Sequence, residues 1–464
     1  MRRTPVLVLF VTVSSILALA GGPLVVGGPN FGIAGQPFTW DPAKMPIQFR
    51  VDPGPMAVNP SGTTVIDNAS GIQRVLSMFG VWQSVSTAAI SYANAGTILS
   101  AGSYVQGQDL STVPQYNDVV GSCQKGLQSP VIFDANGQLM TSLGLSAGVI
   151  GFASPCALGA ASGHISGALL VMNGKFQDGI SNSSDLELTA NEFDEAITHE
   201  IGHFSGLGHS QINIDLLQNR TSPCDTDRLA GLPLMFPVEF CQARKDAGLP
   251  VLSPDDVSWI SSLYPNSSFV SNYGTIRGTI YFTDGVSQAQ GINVIARLID
   301  DQSTTEDESR RVAVSAVSGY LFTGNPGQSV TASMSDPNEN NTGGDKTGSR
   351  DPTRIGFYQI AVPPGTYTVE VEAIDPRFVA GSSVGPLDPP VSLPGPAEFW
   401  NKDESGFDIP LQRDTITVNP GDNITGIDII LNTTPPTFDR FEDSGALFDA
   451  PIPIPVPASD EERA

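Results

Sequence analysis

Residues 198–210 read Thr198-His199-Glu200-Ile201-Gly202-His203-Phe204-Ser205-Gly206-Leu207-Gly208-His209-Ser210. The pattern is H-E-x-x-H-x-x-G-x-x-H, and it uses three of the four histidines in the chain. Because side chains four residues apart share one face of a helix, His199 and His203 can offer imidazole nitrogens to one metal ion. Gly206 lets the backbone leave the helix in a left-handed turn, which brings His209 round as a third ligand. The segment therefore predicts a three-histidine metal site.

Two features indicate a catalytic metal site: the number of protein ligands, and the glutamate that follows the first ligand. Three protein ligands leave the fourth tetrahedral position open to water, as in catalytic rather than structural zinc sites. Glu200 directly follows the first ligand and is placed to take a proton from that water. The alternative is a helix that carries histidines by chance, and five fixed positions matching together disfavour it. We predict one Zn²⁺ on His199, His203 and His209, with Glu200 as the general base.

The flanking sequence predicts a helix over residues 190–205. Thr189 and Glu192 have the T-x-x-E spacing of a capping box. Both ligand positions fall off the apolar stripe of this helix and are expected to face a cleft. The stripe recurs at helical spacing and is expected to face a core: Phe193, Ile197, Ile201 and Phe204.

With these residues the chain resembles the metzincin clan of zinc endopeptidases and, within it, the matrixins. Ser210, directly after the third histidine, is similar to the matrixin pattern. Residues 234–237 read Leu-Met-Phe-Pro and resemble the matrixin Met turn, with phenylalanine where tyrosine is usual. The resemblance implies that Met235 lies beneath the zinc and that Phe236 and Pro237 form a wall of the S1′ substrate pocket. The stretch between His209 and this turn is longer than in typical matrixins, which implies a differently shaped outer wall.

The resemblance covers about half of the chain and implies an α+β domain over residues 38–266. Its expected architecture is a twisted mixed sheet with three helices, one of them the active-site helix. Asp255 and Asp256 begin the last helix, either as plain helix-start carboxylates or as supports of the Met turn. The matching segments are a first strand (40–56), a first helix (79–85), a second strand (89–92), an edge strand beside the cleft (163–173) and a last helix (252–265).

The first twenty residues indicate export. Arg2 and Arg3 precede an apolar run from Val6 to Leu19, and residues 18–20 read Ala-Leu-Ala, a cleavage signal. We predict a signal peptide over 1–20, followed by a short segment at 21–37; a retained N-terminal anchor is the alternative. No later segment reaches the length of a membrane span. The expected location is therefore secreted or at the cell surface, without a membrane span after signal removal.

Four cysteines allow three pairings, and in an exported protein two disulfides are the expectation. Neighbours in sequence suggest Cys123–Cys156 and Cys224–Cys241. Zinc ligation by cysteine is the competing interpretation, and the lack of any C-x-x-C pair disfavours it.

Composition limits the partners. The net charge of −25 and the pI near 4.3 argue against nucleic acid or an anionic membrane as a partner and indicate solubility and a preference for basic peptides. The resemblance implies a protein or peptide substrate. Residues 134–137 (Asp-Ala-Asn-Gly) predict a turn that either binds Ca²⁺ through its oxygens or is an ordinary turn. His164, the remaining histidine, is expected to be a strand residue. Composition leaves the oligomeric state open.

The periodicity changes from helical to alternating beyond residue 272, which predicts an all-β sandwich over 273–433. Residues 356–369 are similar to the signature of carboxypeptidase regulatory-like domains, with a turn at 363–365 and Tyr367 facing inward. Two polar, Gly- or Pro-rich loops (335–352 and 376–396) and a Pro-rich acidic tail (434–464) are expected to be exposed or disordered. The expected strands are 274–282, 291–299, 311–317, 356–362, 366–373 and 424–431.

These features together predict a secreted zinc-dependent endopeptidase with a β-sandwich after its catalytic domain. The alternative is an exported adhesion or binding protein whose metalloprotease domain is regulatory or acts on a single surface partner. The sandwich has neither histidine nor cysteine, so its expected role is binding, spacing or stabilisation. The polar join at 266–272 predicts that a chain ending near Ser271 folds and cleaves short peptides by itself.

Overall fold

A computed structural model describes residues 22–26, 35–159, 161–181, 186–213, 216, 226–237, 242–321, 352–374 and 393–432. We call residues 22–272 the N-terminal region and residues 273–432 the C-terminal region. Several predictions lie outside the described residues. They are the signal peptide, the Cys224–Cys241 pair, most of the two polar loops and the C-terminal tail.

The N-terminal region is built on a mixed sheet. Its strands are β1 (Thr39–Trp40), β2 (Ile47–Val51), β3 (Ala57–Val58), β4 (Thr64–Ile66), β5 (Tyr92–Thr97), β6 (Pro130–Asp134), β7 (Gly151–Leu158) and β8 (His164–Asn173). The sheet order is β1-β8-β6-β2-β5, with parallel pairing throughout, and β7 is added antiparallel to β8. A separate hairpin joins β3 and β4. The predicted second strand is present but begins at Tyr92, where the sequence placed its end.

The helices of this region are α1 (Asn68–Gln83), α2 (Val113–Cys123), α3 (Gln138–Ser142), α4 (Ala190–Phe204), α5 (Thr226–Ala230), α6 (Pro254–Leu263) and α7 (Phe269–Asn272). Helix α1 starts well before the predicted residue 79, because the Asp67 side chain accepts the N–H of Ser70 and caps it there. Helix α4 matches its predicted bounds to within one residue, since Ser205 is the residue that follows its last turn. Its four stripe residues are fully buried against the sheet, as the periodicity predicts.

The edge strand beside α4 is β7 and not the predicted segment 163–173. Strand β8 lies between β6 and β7 and is buried along almost its whole length, which suits its near-continuous apolar sequence. Among the described residues strand β7 pairs only with β8, which places it at an edge of the sheet. Its residues alternate between buried and half-buried, so one of its two faces is more exposed than the other. The prediction of an edge strand was therefore correct in kind but assigned to the wrong strand.

One predicted disulfide is confirmed. Cys123, the last residue of α2, is bonded to Cys156 in β7, with Cα atoms 5.9 Å apart. The bond ties the edge strand to helix α2, which packs on β6, β7 and β8.

The C-terminal region contains two sheets and a short helix, α8 (Glu308–Arg311). Its strands are β9 (Gly274–Tyr281), β10 (Asn293–Leu298), β11 (Ala313–Val317), β12 (Phe357–Val362), β13 (Gly365–Glu372), β14 (Glu398–Phe399), β15 (Ile416–Val418), β16 (Asn423–Ile424) and β17 (Ile429–Ile430). One sheet has the order β11-β10-β13-β14 with β15 on β13, and the other has β12-β9-β16 with β17 on β9. Tyr367 is buried and its hydroxyl donates to the Pro363 carbonyl at 2.7 Å, as predicted. The protein is thus a mixed α/β protein with several sheets, an arrangement compatible with the predicted sandwich.

The two regions pack closely against each other. The Trp259 ring of α6 meets the Tyr320 ring edge-on, with centroids 5.7 Å apart, and α6 lies along strands β11 and β12. A helix that buries one face in each region cannot be separated from either without exposing apolar surface. We therefore no longer expect a chain ending at Ser271 to fold by itself.

Among the described residues, no helix is both long and apolar enough to cross a membrane.

Candidate metal centre

Helix α4 carries the first two histidines, and local sequence determines both of its ends. At its start the Thr189 hydroxyl accepts the N–H of Glu192 at 3.2 Å, and the Glu192 carboxylate accepts the N–H of Thr189 at 2.7 Å. This reciprocal pair satisfies donors that a helix start leaves open. Beyond its end Gly206 has a φ of 94°, a conformation that glycine adopts without steric cost. The chain can therefore turn sharply and return His209 toward the helix.

The three predicted ligands converge on one point. The Nε2 atom of His199 lies 3.1 Å from the Nε2 atoms of both His203 and His209, and the latter two are 2.9 Å apart. Tetrahedral zinc with Zn–N bonds of 2.0–2.1 Å places its ligand nitrogens about 3.3 Å from one another. The observed spacing is close to that value, and the three side chains form a cluster that could hold a metal ion.

Hydrogen bonds on the far side of two rings orient their Nε2 atoms. His199 Nδ1 lies 2.7 Å from the Leu234 carbonyl oxygen, and His203 Nδ1 lies 2.8 Å from the Leu207 carbonyl oxygen. Because a carbonyl only accepts, each neutral ring donates from Nδ1 and presents a lone pair at Nε2. Lone pairs 3.1 Å apart repel each other unless a cation lies between them. The donor set therefore fits a metal ion.

Met235 packs against helix α4 at Gly202; its position beneath a zinc ion stays a prediction. Its side chain is buried, and a Cβ atom built on Gly202 would lie 2.3 Å from Met235 Sδ. Only glycine at position 202 allows the methionine to approach so closely. Phe236 is buried and Pro237 is half-buried directly after it. Their role in a substrate pocket stays a prediction.

A carboxylate from α6 holds the Met235 turn in place. Asp256 accepts the N–H of Leu234 at 2.8 Å and the N–H of Met235 at 3.0 Å. It also accepts the N–H of Ser253 at 2.7 Å, within the capping box of α6. The sequence left two roles open for this aspartate, and it fills both. The Leu234 carbonyl accepts a hydrogen bond from His199 Nδ1. Asp256 therefore supports this candidate ligand through the Met235 turn.

Glu200 is largely buried between α4 and β7. Its carboxylate accepts the backbone N–H of Ala153 in β7, while its Oε2 atom has no hydrogen-bond partner within the described part of the chain. Burial raises the pKa of Glu200 to about 8, an effect that the Ala153 N–H partly offsets. A buried carboxylate with an uncommitted oxygen is suited to accept a proton.

We expect the metal to stay bound at mildly acid pH. Burial and the neighbouring rings lower the pKa of His203 to about 3, and burial lowers those of His199 and His209. Protons compete with a metal for the same nitrogens, so competition should begin well below the usual histidine pKa of about 6.5. Dialysis against metal-free buffer at about pH 5.5, followed by elemental analysis, measures this. A synthetic peptide of residues 198–210 has the same ligands without the burial, and loss of metal at the same pH from both would contradict the expectation.

The predicted turn at residues 134–137 and the fourth histidine, His164, both have ordinary structural contacts. Asp134 accepts the N–H groups of Leu139 at 3.1 Å and Met140 at 2.7 Å and so caps α3, which is the ordinary turn that the sequence left as an alternative. Calcium binding there stays untested. His164 is half-buried in β8 with its Nδ1 atom 3.2 Å from the Thr39 carbonyl oxygen. It is the predicted strand residue.

Sequence reasoning missed a contribution of the C-terminal region to this site. The Ser210 Oγ atom, next to the third histidine, lies 3.2 Å from the Ser315 Oγ atom in β11. Both residues are buried. They are 105 positions apart in the chain, and no local pattern marks either one as a partner of the other.

No protein-family model and no curated protein matches this chain. Fold and site together define a mixed α/β protein with a three-histidine cluster suited to a metal ion.

Proposed function

We propose that the protein is a zinc-dependent endopeptidase. The observation that carries the proposal is the convergence of three Nε2 atoms in one helix–turn segment that also holds the buried carboxylate of Glu200. Three neutral histidines are the ligand set of catalytic zinc sites with an open fourth position. The resemblance of the same residues to the matrixins, and the position of Met235 below the helix, support the same class.

The residues divide the chemistry between them. Zinc bound at the three histidines would polarise a scissile carbonyl and lower the pKa of its bound water toward about 7. Glu200 accepts the proton of the attacking water and passes it to the leaving amine. The carbonyls of Leu234 and Leu207 hold the His199 and His203 rings in the tautomer that this ligation needs.

Strand β7 is the element that would bind the substrate. Within the described residues β7 pairs only with β8, and its Ala153 N–H contacts Glu200, so its edge runs past the proposed base. An extended peptide can add to such an edge through backbone hydrogen bonds. This mode recognises the middle of a chain, and it therefore favours an endopeptidase acting on polypeptides.

Export of the enzyme is part of the proposal. The Cys123–Cys156 disulfide is typical of proteins in oxidising compartments, which agrees with the signal peptide predicted from the sequence. The net charge of −25 suits a soluble protein with peptide substrates rather than nucleic acid.

The test is cleavage of casein, an unstructured protein, by the purified chain. We expect cleavage that stops on treatment with a zinc chelator and returns when zinc is added in stoichiometric amount. A Glu200→Ala preparation made in the same way controls for contaminating proteases. A fully zinc-loaded protein that leaves casein and short peptides intact would overturn the proposal and favour an exported binding protein.

A further inference from the structure

The loop that follows the third histidine is held by the C-terminal region. Ile212 is buried in a small cluster with Ile295 of β10 and Ala313 of β11. Asn213 has a left-handed φ of 58°, a conformation tolerated by asparagine. Its side-chain amide donates to the Gly231 carbonyl at 2.6 Å. Residues 210–213 thus lie between the two regions.

Two arginines of the C-terminal region bind Asn213 of this loop. The Asn213 amide also donates to the Arg310 carbonyl at 3.2 Å, and its oxygen accepts from the Arg297 guanidinium. Arg297 itself is fixed by ion pairs with Glu370 and Glu372 of β13. A guanidinium already held by two carboxylates offers a rigid donor. The loop after His209 is therefore attached to the sheet through a preorganised group.

Helix α6 uses its side chains to cover the open edges of both C-terminal sheets. The Ser315 N–H donates to Asp255 Oδ1 at 2.8 Å, and the Ser315 carbonyl accepts from Trp259 Nε1 at 2.7 Å. The Ser258 hydroxyl donates to the Ala361 carbonyl in β12. Among the described residues, strands β11 and β12 are the outer strands of their sheets, and backbone groups at such an edge need partners. These side chains take the place of a missing strand.

Asp255 and Asp256 are adjacent residues of α6 that bind different regions. Asp256 binds the N-terminal region, and Asp255 binds the C-terminal region. Asp256 holds the Met235 turn, whereas Asp255 accepts from Ser315 and also bonds the side chain of Ser210. Ser210 in turn donates its N–H to the Met235 carbonyl at 2.8 Å. One short hydrogen-bonded network therefore joins Ser315 of β11, Ser210 beside the third histidine, and the Met235 turn.

We infer that the C-terminal region is part of the metal centre, and that Ser315 is a positioning residue for His209. Its hydroxyl acts through Ser210, the next residue to that ligand. Because Ile212 and Asn213 are attached to the same sheet, the loop cannot move its histidine independently of the C-terminal region. The inference rests on metal binding by the three histidines and not on protease activity.

The experiment compares zinc affinity in four full-length variants: Ser315→Ala, Ser210→Ala, the double variant and Ser318→Ala. Ser318 is the matched control, since it is equally buried and, within the described part of the chain, its hydroxyl bonds only Ala289 and Ile292 of its own region. Residues that orient metal ligands typically change affinity by 10–100-fold. We expect Ser315→Ala and Ser210→Ala each to weaken zinc binding about tenfold. The zinc affinity of the double variant should be at most about twofold lower than that of either single variant.

Spectra of the cobalt-substituted protein separate positioning from general destabilisation. The visible absorption bands of Co²⁺ report ligand geometry, so they should shift in Ser315→Ala and stay unchanged in Ser318→Ala, even when both lose thermal stability. If Ser315→Ala does not fold, Ser210→Ala removes the other half of the pair and carries the same expectation. Unchanged zinc affinity and spectra in a folded variant would overturn the inference. Absence of zinc binding in the parent protein would overturn the proposed function and, with it, this inference.

Discussion

His203→Ala is expected to abolish stoichiometric zinc binding. The side chain is buried, and its Nε2 atom lies within 3.1 Å of both other ligand nitrogens, so its removal leaves two ligands and a cavity. A two-histidine site has lost a third of its donors, and zinc should then dissociate at ordinary buffer concentrations. Elemental analysis of the purified variant measures the effect directly. Thermal unfolding gives a second readout, because zinc added to the parent protein should raise its Tm and zinc added to the variant should not.

His164→Ala is the matched control for this prediction. It removes the one histidine outside the cluster, which is half-buried in β8 and contacts the Thr39 carbonyl. We expect one zinc per chain in this variant, as in the parent. Stoichiometric zinc in His203→Ala would contradict the assignment of the ligands.

Glu200→Ala is expected to keep the zinc and to lower kcat for peptide hydrolysis about a hundredfold or more. The carboxylate is not one of the three converging ligands, so ligation should survive its loss. Its uncommitted Oε2 atom is the group that would accept the proton, and alanine offers no substitute. Turnover of a short fluorogenic peptide, measured beside the zinc content of the same sample, separates catalysis from ligation.

Glu192→Ala, in the same helix, serves as the comparison for Glu200→Ala. Glu192 belongs to the capping box, and its loss should reduce stability by about 1 kcal/mol without changing kcat. If Glu200→Ala retained zinc and cleaved the peptide at the parent rate, the carboxylate would not be the base.

The sequence was most informative where structure depends on neighbours along the chain. The bounds of α4, its capping box and its buried stripe follow from residues within one segment, and all were predicted. The i, i+4 spacing of His199 and His203 belongs to the same class, because helix geometry alone brings such side chains together. The turn at Gly206 extends the prediction to His209, six residues after His203.

The sequence was less reliable where the answer depends on which strands pair. It took residues 163–173 for the edge strand, whereas β7 holds that place and β8 is interior. Both segments have strand character, and only their pairing partners distinguish them. The long apolar run in β8 could have indicated a strand covered on both sides.

The groups that can bind a metal could be predicted from local sequence, because helix periodicity and one glycine turn place His199, His203 and His209 within eleven residues of chain. How those groups are supported depends on tertiary packing. Asp256 reaches the Met235 turn across 21 residues and Ser315 reaches Ser210 across 105. Such contacts depend on packing between distant elements, and no local periodicity encodes them. Packing also argues against an independent N-terminal region, because α6 buries a face against β11 and β12. The polar join at 266–272 does not indicate this contact.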